Sequence, residues 1–247
     1  MIKMIITDLD NTLLRYDKTI SDYTISIFKR VREHGVLVAF ATARGLESSQ
    51  EYRVLLNPDC DIVTGGCLVY SGKYLLKRYY LPEPQGTTLI AELCAHPLVN
   101  SVSARSMNIA YSNFPSDGRI LVDFKSPLPE RLLHCSCRTS DDIFMQSIAN
   151  RYPEFSIYHN SGSDLYDINP KNATKFNGIK ILSEYYCIPL SEIVAFGDDF
   201  NDIEMLRDCG IGVAMSNAIN ECKAVADYVC GDCDKDGVAK WLEEQII

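Results

Sequence analysis

Two short acidic blocks hold the residues best able to do chemistry in this chain: Asp8-Leu9-Asp10-Asn11-Thr12 near the start and Gly197-Asp198-Asp199-Phe200-Asn201-Asp202 near the end. Asp8 and Asp10 are two apart on an extended chain, so their side chains point the same way and can face one pocket. Carboxylates crowded into one site are costly unless protonated or paired, and a hard cation such as Mg²⁺ is the usual partner. A carboxylate can also attack phosphorus and form an aspartyl-phosphate, which splits a hydrolysis into two easier steps. The leaving alcohol then needs a proton and the attacking water must lose one, work for a second carboxyl. Thr12 and the amides of the turn could hold the transferring phosphoryl oxygens. Together the blocks read as a nucleophile, an acid/base and a Mg²⁺ site. Singly, each has a plainer explanation: Asp-x-Asp-x-Thr also suits ordinary turns, and Asp199 and Asp202 could favour a helix N-terminus. That explanation leaves Asp198 unaccounted for.

Each block follows an apolar run that reads as a buried strand, so each belongs at the carboxyl end of a sheet strand, where open α/β folds bind ligands. Residues 2–7 form the first run. Ser21 or Asp22 caps a helix in which Tyr23, Ile27 and Val31 recur four apart, and Gly35 closes it. Val36 to Ala41 is a second strand ending at Thr42-Ala43-Arg44, Glu47 to Leu56 reads as helix, and Ile62-Val63-Thr64 as a short strand. This alternation predicts a Rossmann-like parallel sheet with helices on its faces.

The rhythm changes after about residue 80. Pro82-Glu83-Pro84 is a stiff junction, followed by a helix at Leu89 to Cys94, strands near 100–111 and 119–124, a helix at Asp141 to Arg151 and a strand around Phe155 to His159. Asn169-Pro170 reads as a second junction. Beyond it come a helix at Asn177 to Tyr186, a strand at Ile193 to Phe196, a helix at Asn201 to Cys209 and a strand at Ile211 to Ala214. The expected fold is α/β: a discontinuous core over residues 1–80 and 169–247, with an α+β cap inserted over residues 81–168.

The chain has 247 residues, enough for one large domain or two modest ones, and its 47% apolar content supports a proper core. A net charge of −9 argues against nucleic acid or an anionic membrane as partner, since no local basic patch is visible to offset it. A small anionic substrate can still bind through one or two local cations and a metal. The start, Met1 to Thr7, goes directly into Asp8 with no secretory signal, and no membrane span is visible, so the cytoplasm is the expected compartment. The ten cysteines then read as free thiols, and monomer and homodimer are equally open.

Two further pieces lie between the blocks. Thr42-Ala43-Arg44 offers a hydroxyl and amides to phosphate oxygens, and Lys175, ahead of a core helix, could neutralise phosphate and nucleophile together. With these pieces in order, the chain resembles the haloacid dehalogenase-like superfamily of phosphohydrolases, and more closely its Cof-type subfamily with a C2-type cap. The resemblance covers essentially the whole core, while the cap is matched by size and place. It implies Asp8 as the nucleophile, Asp10 as the general acid/base, and Thr42, Lys175 and Asn201 as phosphate-binding or phosphate-supporting residues. It implies Asp198 as a Mg²⁺ ligand beside Asp8 and the backbone carbonyl of Asp10, with Asp202 and Asp199 in support. Arg44 would fix the loop or contact substrate.

Asp10 favours phosphate over halide chemistry, because the dehalogenases of this superfamily lack that second carboxylate. The interval from Asp8 to Thr42 leaves no room for a helical cap, and the longer one from Thr42 to Lys175 holds the insert, which is the C2 arrangement. Three positions depart from the family pattern. Ala43 stands where Gly is usual, Phe176 and Asn177 follow Lys175 where Gly and a small residue are common, and Gly65-Gly66 replaces Asn-Gly. The expected function is a Mg²⁺-dependent phosphatase of small phosphorylated metabolites, of sugar phosphate, nucleotide or pyridoxal phosphate type. A phosphomutase of the phosphomannomutase kind and a non-catalytic ligand-binding protein on the same fold are the alternatives.

Other motifs carry less. Asp232 to Gly237 with Glu243 has the spacing of an EF-hand loop, but a strand-like segment, Ala226 to Val229, precedes it where a helix is required. The expectation is a polar loop into the last helix, with Trp241 and Leu242 on the core. Cys135/Cys137 and Cys230/Cys233, with His134, could suggest a zinc site, but one pair falls in the cap and the other in the core, so free thiols are expected. His34, His96 and His159 have no partner spacing. Tyr111 to Phe114 and Asn160 to Ser163 are candidate cap contacts with substrate.

Overall fold

The apolar runs beside the acidic blocks become the centre of a sheet and are buried along nearly their whole length, as parallel strands covered on both faces must be. The computed structural model describes residues 1–116, 118–126 and 128–247. Five strands open the chain: β1 (Met4–Thr7), β2 (Leu37–Ala41), β3 (Cys60–Val63), β4 (Leu68–Ser71) and β5 (Tyr74–Arg78). Helices α1 (Asp22–Glu33) and α2 (Gln50–Leu56) lie between them in sequence. The next segment supplies α3 (Gln85–Ala95), β6 (Val99–Arg105), β7 (Ala110–Ser112), β8 (Ile120–Leu121), β9 (His134–Thr139), α4 (Asp142–Arg151), β10 (Phe155–His159) and β11 (Leu165–Pro170). The chain closes with α5 (Lys175–Tyr186), β12 (Ile193–Gly197), α6 (Ile203–Asp208), β13 (Ile211–Ala214), α7 (Asn220–Val225), β14 (Tyr228–Val229) and α8 (Gly237–Gln245).

The chain divides into two compact units, Met1–Lys77 with Lys175–Ile247, and Arg78–Thr174. In the first, the strand order is β14-β13-β12-β1-β2-β3-β4-β5. β1 pairs in parallel with β12 on one side and β2 on the other, with Thr7 opposite both Phe196 and Phe40. The ends of β1 and β12 therefore come together, and with them the two acidic blocks. Two apolar clusters fill this unit, one around Phe28, Phe40, Phe196 and Trp241, the other around Met4, Ile62, Ile179 and Met205.

The second unit is a sheet of order β10-β11-β9-β6-β7-β8. Val102, Ala104, Cys135, Cys137 and Ile168 form its buried side with Leu89 and Leu93 of α3 and Met145 and Ile148 of α4. The alternate positions Ser103, Ser136 and Asp167, in register across β6, β9 and β11, are polar.

Several element boundaries differ from the sequence reading. β4, β5, β9 and β11 are absent from it. β9 reads His134-Cys135-Ser136-Cys137-Arg138-Thr139, and only the alternation of small buried Cys and Thr with polar partners makes it a strand. Asn169-Pro170, expected as a junction, closes β11, where Pro170 sits opposite Phe155 at a strand end and need not donate to the ladder. The compact units accordingly divide at Thr174/Lys175 and Lys77/Arg78. The helix expected from Asn201 begins as a 3₁₀ turn at Phe200–Asp202, and the one expected from Glu47 begins at Gln50. Among the described residues, no helix is long and apolar enough to cross a membrane.

Candidate active site

Asp8 extends β1 by one step, its amide donating to the Phe196 carbonyl at 3.0 Å. The chain then turns tightly: the Leu9 carbonyl accepts from the amides of Leu13 and Leu14 at 3.1 and 2.7 Å, and Asn11 takes a left-handed φ of 57°. Asn is among the residues that tolerate this conformation. Asn217 pins the turn by donating to the Asn11 carbonyl at 2.7 Å. Thr12, expected to hold phosphate oxygens, directs its hydroxyl elsewhere: it donates to Asp198 Oδ1 at 2.8 Å.

The second block is built around Gly197. A Cβ there would fall 2.5 Å from Cβ of Asp202, so the absence of a side chain lets Asp202 fold back under the strand end. Asp202 Oδ2 accepts from the amides of Asp198 and Asp199 at 3.0 and 3.2 Å. Its Oδ1 accepts from Lys175 Nζ at 2.7 Å, and the same ammonium reaches Asp8 Oδ1 at 2.7 Å. Lys175 is 2% exposed, so neither bond is shared with bulk water. It starts α5, which approaches β3 closely: a Cβ on Gly178 would meet Ile62 at 2.6 Å. The glycine that follows Lys175 at three positions, rather than immediately, seats the helix that carries it.

Asp8, Asp198 and Asp202 are buried and place carboxylate oxygens within 4.8 Å of one another. Burial, with Asp202 nearby, pushes the Asp8 carboxyl up to about 7 despite the Lys175 ammonium. Burial, then Asp8 and Asp202, pushes Asp198 up to about 8. One ammonium does not neutralise three buried carboxylates, so the site calls for further positive charge. Both Asp202 oxygens are occupied by protein donors. Asp8 Oδ2 and Asp198 Oδ2 take no protein donor among the described residues, and these two hard oxygens suit a divalent cation of the Mg²⁺ kind. The donor set therefore fits the metal expected from the sequence. Lys175 itself is held far above the usual lysine range: burial opposes its charge, but Asp202 and Asp8 outweigh burial.

Asp10, half-buried, is engaged by two cations. Arg44 donates to it with Nε at 2.6 Å and Nη2 at 2.8 Å, and Lys18 Nζ lies 2.9 Å from its Oδ1. Burial would raise this carboxyl, yet Arg44 and Lys18 hold it below the usual carboxylate range. Lys18 is the residue that the sequence reading missed. It sits alone in a loop, with no spacing relative to Asp10 that marks it.

The remaining expected residues fall into place individually. Thr42 is buried at the end of β2, its hydroxyl accepting from the Arg44 amide at 3.1 Å. Ala43 is exposed and has no positive φ, so the backbone there makes no demand for glycine. Gly65 and Gly66 do have positive φ, 64° and 105°, so Gly at the first position does what Asn can also do. Asn201 has a buried Oδ1 without a hydrogen-bond partner, and Asp199 accepts from the Phe200 amide at 2.8 Å.

The lesser motifs resolve structurally. Asp236 accepts from Arg15, Ser21 and Thr24, Asp234 from the Tyr16 amide, and Glu243 from Tyr23 and Arg30, so the loop ahead of α8 is a hydrogen-bonded hub preceded by β14. All ten cysteines are free thiols, and Cys135/Cys137 and Cys230/Cys233 belong to different compact units. Tyr111 and Ser112 are buried in the second unit, Asn113 accepts from the Val102 amide, and Phe114 is exposed. Asn160 closes the turn into β11 through its bond with Asp167.

A sequence model of the haloacid dehalogenase-like hydrolases matches residues 5–242. The chain is 28% identical over 262 residues to the 5-amino-6-(5-phospho-D-ribitylamino)uracil phosphatase YitU of Bacillus subtilis, covering 98% of this chain and 96% of that protein. It is 27% identical over 266 residues to the HMP-PP phosphatase of Escherichia fergusonii, with 98% and 95% covered. Among solved structures, the subclass IIB sugar phosphatase BT4131 matches with a TM-score of 0.85 at 24% identity, over 98% of each chain, a likeness of fold.

Proposed function

This chain belongs to the haloacid dehalogenase-like hydrolase family, and we propose that it is a Mg²⁺-dependent phosphatase of small phosphorylated metabolites that works through an aspartyl-phosphate on Asp8. The observation that carries this reading is the Lys175 bridge. Its Nζ binds one oxygen of Asp8 and one of Asp202, leaving Asp8 Oδ2 without a protein donor beside the crowded carboxylates. An oxygen so placed can attack, and the ammonium fixes the rotamer of the attacking group. The relatives named above act on small phosphorylated compounds, which supports the substrate class. Ten free thiols suit a reducing, cytoplasmic setting.

In the first half-reaction an Asp8 oxygen bonds to phosphorus as the bond to the leaving oxygen breaks, and Asp10 supplies that oxygen with a proton. In the second, water bonds to phosphorus, its proton passes to Asp10, and the Asp8–phosphorus bond breaks to release phosphate. Lys175 remains beside the phosphoryl group through both halves, while Thr42 and the Ala43 amide take its oxygens. Asp8, Asp198 and the Asp10 carbonyl would hold Mg²⁺, which supplies charge neutralisation and orientation for the phosphoryl oxygens.

The test is phosphate release from a panel of phosphorylated metabolites by wild type and Asp8→Asn, with and without Mg²⁺. Release should need Mg²⁺ and fall to background in the variant; equal activity of both proteins would place the nucleophile elsewhere. Release without a bisphosphate primer separates hydrolysis from phosphomutase action. A wild type that binds these metabolites without turnover would be a ligand-binding protein instead.

A further inference from the structure

The chain leaves β3 through three consecutive left-handed residues, Thr64, Gly65 and Gly66, with φ of 52°, 64° and 105°. The Cys67 amide closes this turn onto the Thr64 carbonyl at 3.1 Å, and β4 follows antiparallel to β3. A tight hairpin requires left-handed φ at its two central residues, which Gly65 and Gly66 supply. It does not require a third at Thr64, a β-branched residue for which positive φ is a genuine outlier. Among the described non-glycine residues with positive φ, Thr64 is the only β-branched one. It is also 3% exposed, and its hydroxyl has no hydrogen-bond partner among the described residues. An outlier and an unpaired hydroxyl at one buried position point to a conformation held for function.

That function lies in the neighbouring loop after β2. The Thr64 amide donates to the Arg44 carbonyl at 2.8 Å and the Gly65 amide to the Thr42 carbonyl at 3.0 Å. Successive amides of an extended strand point to opposite sides, so leaving that conformation at Thr64 lets one turn make both bonds. A trans peptide is planar, and its carbonyl and amide point in opposite directions. The Gly65 bond to the Thr42 carbonyl therefore turns the Ala43 amide away from β3. The amides on either side are taken, Thr42 by the Ile62 carbonyl at 2.8 Å and Arg44 by the Thr42 hydroxyl at 3.1 Å. The Ala43 amide between them has no protein partner among the described residues, and Ala43 is exposed. We propose that Thr64 is a positioning residue for phosphate: its left-handed turn holds the Arg44 and Thr42 carbonyls and so aims the Ala43 amide at a phosphoryl oxygen. The inference rests on the phosphatase reading above, in which that amide takes such an oxygen. Thr64 acts through the backbone alone, and its stiff β-branched side chain limits a freedom that glycine would restore.

The experiment compares wild type with Thr64→Gly, Thr64→Asn and Thr64→Val, all with Mg²⁺. It reads melting temperature, hydrolysis of p-nitrophenyl phosphate and inhibition by inorganic phosphate. Thr64→Gly relieves the outlier and should raise the melting temperature by roughly 2–6 °C. It also frees the turn, so kcat/KM should fall and the phosphate inhibition constant rise, each about 3- to 10-fold, part of the value of a hydrogen bond to a charged group. Stability and phosphate binding thus move in opposite directions, as they do not for a turn that only shapes the hairpin. Asn tolerates the left-handed region with a side chain in place, so Thr64→Asn should bind phosphate within about 2-fold of wild type. Thr64→Val keeps the shape without the hydroxyl and should bind phosphate as wild type does. The Ala43 amide resonance should move when phosphate is added to wild type, and move less in Thr64→Gly. Unchanged phosphate binding in Thr64→Gly, an equal loss in Thr64→Val, or a joint fall of melting temperature and binding in Thr64→Gly overturns the proposal and leaves the phosphatase reading intact. A wild type that neither hydrolyses the ester nor binds phosphate removes the two together.

Discussion

Gly197 and Asp202 touch: a Cβ on the glycine would lie 2.5 Å from Cβ of the aspartate, closer than real Cβ contacts come. The carboxylate that anchors Lys175 thus depends on a hydrogen atom five residues upstream. Gly197→Ala should displace Asp202 and through it Lys175. Overpacking of this kind costs about 1–3 kcal/mol, so the melting temperature should fall by roughly 2–12 °C. Phosphatase activity should fall with it, since Lys175 then loses one of its two anchors. An alanine variant with wild-type melting and turnover would show that the strand end can relax around the methyl group.

Asp202→Asn tests the same pillar without changing its size. Asp202 accepts from three donors, Lys175 and the amides of Asp198 and Asp199. A carboxamide has one oxygen, so its NH₂ must face either the lysine or the two amides. Lys175 keeps Asp8 in this variant, so the cost is that of a buried donor left unsatisfied, about 1–3 kcal/mol, which corresponds to a fall of roughly 2–12 °C in melting temperature. The loss should exceed that of Arg207→Ala, whose partner Asp208 forms an ion pair at the surface. Comparable melting shifts for the two variants would contradict the buried-pair account.

Metal-free protein should lose stability as pH rises from about 4 to about 8. Burial holds the Asp8 and Asp198 carboxyls up to about 7 and about 8 in the folded chain, against an ordinary value of 3.8. Through that window the folded state binds more protons than the unfolded one, so the slope of stability against pH is negative. The two groups titrate together, so one broad transition is expected. Mg²⁺ offsets the same charge and should raise the melting temperature more at pH 8 than at pH 5. Thermal melts in chelator and in Mg²⁺ across this range measure both effects; a metal-free melting temperature that climbs towards pH 8 would falsify the charge-crowding argument.

The core was legible in the sequence because its signals are local. Continuous apolar runs ending in acidic turns specify buried strands with carboxylates at their ends, and β1, β2 and β12 form where those runs lie. The cap was legible mainly as a change of rhythm. β9 and β11 carry Cys, Ser, Asp and Asn in place of branched apolar residues, so their alternation is weak until neighbouring strands set the register. Asn169-Pro170 misled for a related reason: proline marks a strand end as readily as a linker.

Residue types and order by themselves determined that Asp8, Asp10, Lys175 and Asp198 stand at the ends of core elements, because the character of each end is written locally; their joint role in phosphoryl transfer is what the family resemblance implies and what we propose. Only the tertiary structure decided how the charges are shared out. Lys175 bridges Asp8 and Asp202, Thr12 turns to Asp198, and Arg44 and Lys18 both go to Asp10. Asp236 gathers Arg15, Ser21 and Thr24 across more than 200 positions of chain. Such partners are selected by strand register and by the burial that removes water as a competitor, and neither leaves a periodic trace in the order of the residues.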